Sequence, residues 1–172
     1  MFDLTDGRKP YQPNSQYDIS ARWQIWGETV FLVFLMLIAF VSIFLTWRGI
    51  LGNWLALSAI QQLTAQKYIY YSASGLLGGV TFGIKFFYHI VAKGYWHKDR
   101  RVWRVSSPII AMTIAFIVGA LFESGAISVN SFNTSCNAKV ICIGFITGYF
   151  ADQAVGKMRE IADVIFGQQK KE

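Results

Sequence analysis

No charged residue lies between Glu28 and Arg48, and the run from Phe31 to Phe40 is apolar on every side. A helix over 26–47 is roughly 33 Å long, enough to cross a hydrocarbon core. Trp23, Trp26 and Trp47 bracket it where interfacial aromatic residues anchor membrane helices. Such a segment leaves the chain few folds. In lipid every backbone polar group needs an internal partner, which only helices and closed barrels provide.

Three more apolar segments follow, at 68–90, 107–129 and 139–158, and each carries small residues at every fourth position. The second segment has Gly75, Gly79 and Gly83. The third has Ala111, Ala115 and Gly119, and the fourth Gly144 and Gly148. Steps of four stay near one face of a helix, so each segment presents a smooth stripe that a neighbouring backbone can approach closely. Hydrophobic residues make up 53% of the chain and charged residues 15%, which leaves too little polar chain for a separate soluble core. The expected fold is an all-α integral membrane protein, a four-transmembrane-helix bundle occupying 25–166.

The connections are read from their polarity. Residues 1–24 form a polar N-terminal tail and 167–172 a short C-terminal one. The moderately apolar stretch 49–66 fits an interfacial helix lying on the bilayer surface. At 158–166, Met158, Ile161, Ile165 and Phe166 share a face, which predicts an amphipathic helix. Ser106, Ser107 and Pro108 resemble a helix start, with proline in the first turn. In the fourth segment only 140–151 is free of charge, so a re-entrant segment is the alternative to a crossing. Cys136 and Cys142 form no metal-binding spacing and are expected to be free thiols.

Orientation follows from the basic residues. With four crossings, the N-terminal tail, the loop 93–104 and the C-terminal residues from Lys157 onward share a side and hold twelve of the sixteen lysines and arginines. The positive-inside rule therefore puts both termini and that loop in the cytoplasm, at an inner or plasma membrane.

Lys85, Glu123 and Asp152 fall in otherwise apolar segments, where an ionised group is costly unless paired or hydrated. Lys85 and Asp152 lie at similar depth and can pair. Glu123 has no evident partner of opposite sign, and in a symmetric oligomer it would form a ring that attracts cations. Thr147, with Thr113 and Ser124, would add polar lining, although hydroxyls in helices commonly bond their own backbone.

The loop 93–104 crowds Lys93, Lys98, Arg100, Arg101 and Arg104 among Tyr95, Trp96 and Trp103. Lys98, Arg100, Arg101, Trp103 and Arg104 are its candidate contacts for anionic headgroups or a cytosolic protein. Arginines interleaved with aromatic rings also suit single-stranded nucleic acid, but beside a membrane lipid is the simpler ligand and no nucleic acid is expected.

No phosphate loop, zinc-protease motif or nucleophile elbow occurs, and the two histidines, His89 and His97, are not placed to hold haem. No enzymatic activity, cofactor or metal is expected. The leading functional expectation is a homo-oligomer acting as an ion-conducting pore or membrane-perturbing effector. The alternative is a membrane anchor or scaffold that recruits a cytosolic partner through 93–104 and the amphipathic tail.

Overall fold

A computed structural model describes residues 15, 17–50, 58–125, 136–151, 153–156 and 159, and every regular element among them is helical. Helix α1 spans Ile19–Trp47 and α2 spans Ala59–Ala92. A 3-10 turn, Lys98–Arg100, leads into α3, Arg101–Glu123, and α4 spans Asn137–Tyr149. Three helices are long and apolar enough to cross a membrane: α1, α2, and α3 with its leading turn.

Helix α1 buries one narrow stripe, Glu28, Leu32, Ala39 and Thr46. Spacings of four and seven keep those residues on one face. Around the rest of the helix Phe34, Leu37, Phe40, Val41 and Phe44 stand exposed, a surface that suits acyl chains and would be a severe liability in water.

Helix α2 is the hub, with α1, α3 and α4 packed around it and α3 also touching α4. Its middle is buried almost all round, from Tyr70 to Val80. That position explains why α2 is the least apolar of the three long helices: its hydroxyls face protein and its own backbone. Ser72 donates to the Tyr68 carbonyl at 2.8 Å and Thr81 to that of Leu77 at 2.7 Å. Ser74 donates to the carbonyls of Tyr70 and Tyr71. Hydrogen bonds of this kind hide the hydroxyl from lipid.

The small-residue stripes meet one another inside a single subunit. A Cβ on Gly75 would collide with the Ala115 side chain, and one on Gly79 with Ala111 and Pro108. Gly148 lies against the Gly75 backbone, Gly78 against the Phe145 carbonyl, Gly144 against Ser74 and Gly119 against the Tyr71 ring. Helix α3 therefore runs antiparallel to α2, and α4 runs parallel to it. Gly83 differs, since the nearest atoms to a Cβ there are 3.8 and 4.0 Å away, on Leu32 and Pro108.

Several element boundaries differ from those expected of the sequence. Residues 59–66 are the first two turns of α2 rather than part of an interfacial helix, and 51–57 lie outside the described residues. The Gln61 side chain accepts the Ser58 amide at 3.2 Å, closing that helix start. Residues 19–24 belong to α1 instead of a tail. Helix α3 begins two turns before Ser107, so Pro108 sits inside it and leaves the Arg104 carbonyl without its helical donor. Gly79 lets the Pro108 backbone approach α2, since a Cβ there would stand 3.2 Å from the proline Cα.

Helix α4 ends at Tyr149, after about 20 Å of rise, and the chain turns at Phe150 before helical residues resume at 151 and 153–156. One helix of that length does not cross a bilayer. Of the expected tail helix at 158–166, only Arg159 is among the described residues, as are 107–125 of the expected third segment.

Candidate functional site: a clamped arginine beneath a basic platform

Two polar clusters occupy opposite ends of the bundle. The larger lies where α2 passes into α3, and its centre is an ion pair that joins α1 to α3. Arg104 Nε donates to Glu28 Oε2 at 2.8 Å and Nη2 to Oε1 at 3.0 Å. The side chains are 6% and 2% exposed, so both charges are withdrawn from water and lipid. A side-on, two-point pair is the geometry in which arginine and carboxylate bind most strongly.

Surrounding groups complete the clamp. Both terminal nitrogens of Arg104 donate to the His97 carbonyl at 3.3 Å, which fixes the loop against α3. The guanidinium lies 5.5 Å from the Trp96 ring centre and 5.9 Å from that of Phe87, within cation–π range. Trp96 Nε1 reaches Glu28 Oε2 at 3.5 Å. Tyr17 meets the Trp96 ring edge-on and donates to the Val91 carbonyl at 3.0 Å. A second cation, Arg101, stands 3.7 Å from Glu28 and is 48% exposed. One carboxylate thus serves two guanidiniums, and among the described residues the cluster keeps a positive excess.

The predicted loop contacts divide into two groups. Arg104 is corrected from a surface contact to a buried structural one. Lys98, Arg100, Arg101 and Trp103 remain exposed, together with Tyr95 and Val102. Asp99 is exposed among them. The result is a firm platform of cations and rings over a buried lock.

At the other end Glu123 is not alone, contrary to the expectation from sequence. Lys67 Nζ donates to its Oε2 at 2.7 Å, joining α2 to the last residue of α3. The Tyr71 side chain lies beside the same carboxylate. Among the described residues, neither the Tyr71 hydroxyl nor Glu123 Oε1 has a hydrogen-bond partner.

The remaining predicted positions scatter. Lys85 is exposed and donates to the Tyr149 hydroxyl at 3.4 Å. Asp152, its expected partner, lies outside the described residues. Thr147 is buried on the same face of α4 as Gly144 and Gly148. Thr113 and Ser124 bond the carbonyls of Ile109 and Leu121. Cys136 and Cys142 are free and exposed. Among the described residues no group of histidine, cysteine and acidic side chains is placed to hold a metal ion.

Sequence reasoning passed over Glu28, Lys67, Tyr71 and Trp96. Glu28 carried a signal, because it opens the apolar run of α1 one turn inside a tryptophan anchor, where a lone acid calls for a partner. Comparison with known protein families, curated proteins and solved structures finds no match.

Proposed function

We propose that the protein is a membrane anchor that holds a basic, aromatic platform at the cytoplasmic face and recruits a cytosolic partner with an acidic surface. The observation that carries this reading is the split within one short loop. Arg104 and Trp96 turn inward onto Glu28, Arg101 stands half exposed at the edge of the same carboxylate, and Tyr95, Lys98, Arg100 and Trp103 stand exposed. Fixing the backbone in advance lowers the ordering cost of binding. Exposed tryptophan, tyrosine and arginine are the residues that dominate protein contacts.

Reconstitution of the full chain in phosphatidylcholine nanodiscs tests this proposal. A cytosolic protein held by the wild type should be released at least about tenfold more readily by Lys98→Glu with Arg100→Glu, and by 0.5 M salt. Equal retention by the reversed platform overturns it.

A homo-oligomeric pore is the second proposal. The small-residue faces and Glu123 supported it from sequence, and both are now engaged within one subunit. What favours it is Lys85, a cation on an exposed part of α2 whose hydrogen bond among the described residues is to the Tyr149 hydroxyl. An exposed lysine at membrane depth suits a subunit contact or a pore wall. Conductance across planar bilayers that falls on Lys85→Met would support a pore; bilayers left silent by the wild type would remove it.

A further inference from the structure

A furrow of 150 Å³ opens beside the clamp, between α1, α2 and α3, lined by Leu32, Gly83, Phe86, Phe87, Trp103 and Arg104. Its floor exists because Gly83 has no side chain and the nearest atom to a Cβ there is 3.8 Å away. Gly75, Gly78, Gly79, Gly144 and Gly148 are consumed by close helix contact; here the space is left open. A second furrow, of 120 Å³, lies against α4 and is separated from the first by the shared residues Phe82 and Ser107. Both are lined mainly by apolar groups.

Arg104, which lines the first furrow, belongs to a cluster whose charge stays positive among the described residues even with Asp99 counted. Glu28 accepts two charge-assisted bonds from Arg104 at 2.8 and 3.0 Å, and Arg101 stands 3.7 Å away on the same carboxylate. Arg101 is half exposed, and Lys98 and Arg100 stand exposed nearby in the chain. Paired apolar furrows under a positive rim match one kind of molecule, a two-chained lipid with an anionic headgroup.

We propose that this end of the bundle binds one anionic diacyl phospholipid. Its phosphate lies against Arg101 at the rim, and the upper part of each chain enters one furrow, on either side of Phe82 and Ser107. Trp103 borders the headgroup level, where indole rings favour the interface. The lipid neutralises the positive excess that Glu28 leaves and covers the gap that Gly83 opens. The site shares Arg101 and Trp103 with the proposed partner surface, and the two readings separate at Lys98 and Arg100, whose reversal tests the partner, and at Gly83, whose substitution tests the lipid.

Native mass spectrometry of the full chain, titrated with phosphatidylglycerol and in parallel with phosphatidylcholine, tests the proposal. One phosphatidylglycerol should be retained in preference to phosphatidylcholine, and inorganic phosphate should not displace it. Arg101→Gln should weaken retention about fivefold, the usual worth of one cation at an anionic lipid surface. Gly83→Leu fills the furrow and should abolish the single high-affinity adduct, whereas Gly27→Leu, on open surface, should not. Equal retention of both lipids overturns the headgroup assignment. An undiminished adduct on Gly83→Leu overturns the chain seat, and if that variant fails to fold, Arg101→Gln still decides the matter.

Discussion

Lys67 in the third turn of α2 donates to Glu123, the last residue of α3, across 2.7 Å. The pair ties together two helices that otherwise meet through small residues, and it removes Glu123 as a bare carboxylate. Lysine is about a third exposed and glutamate a fifth, so water screens much of the attraction. Glu123→Gln and Lys67→Met should each cost about 1 kcal/mol, measured by unfolding in mixed micelles. A double-mutant cycle should return a coupling of similar size. Additive losses would mean that the two side chains do not interact.

The Glu28–Arg104 pair belongs to a different regime because both side chains are almost wholly buried. Glu28→Gln strands Arg104 against Phe87 and Trp96 and should cost about 3–5 kcal/mol, whereas Arg104→Met leaves Glu28 the half-exposed Arg101 at 3.7 Å and should cost less. Replacing both with methionine should recover most of that loss. Loss of helical order at 98–104, read by hydrogen exchange in nanodiscs, should accompany the single variants. A double variant as unstable as the singles would show that the ion pair is not the reason for the damage.

The glycines separate into two classes that a substitution series can distinguish. Gly148→Ala places a methyl into the Gly75 backbone, and nothing there can move as a flexible side chain would. A loss of about 1–3 kcal/mol or more is expected. Gly83→Ala meets nothing closer than 3.8 Å and should instead gain about 0.4–1 kcal/mol from the stiffer unfolded chain. The same order should hold for thermal unfolding in detergent. If Gly148→Ala is as stable as Gly83→Ala, the contact between α2 and α4 is wrong.

This contrast marks where the sequence could be read and where it could not. A four-residue repeat of glycine and alanine is a local signal, and the stripes do find one another: Gly75 meets Ala115, and Gly79 meets Ala111. The uncharged run of α1 is local too. The ion pairs are not, since Glu28 and Arg104 are 76 residues apart and Lys67 and Glu123 are 56 apart. Residues 59–66 misled because their glutamines read equally well as an interfacial helix or as the wet end of a long one. Pro108 misled because proline in a first turn and proline facing a glycine on a neighbouring helix leave the same local signature.

The two native cysteines give a direct measure of topology. Cys136 precedes α4 and Cys142 lies on its second turn, both exposed, the latter among apolar neighbours. A membrane-impermeant maleimide should label Cys136 from one side of sealed vesicles and leave Cys142 unmodified, because lipid excludes the reagent. In a background lacking both cysteines, Lys98→Cys should react only from the opposite side, since α2 and α3 turn there. Arg159→Cys then decides the fourth segment. If 150–159 completes the crossing that α4 begins, Arg159→Cys labels from the Lys98 side, in keeping with both proposed functions. Labelling from the Cys136 side would make the segment re-entrant, part the C-terminal tail from the platform, and leave the proposed partner to the loop around Lys98 and Arg100 alone.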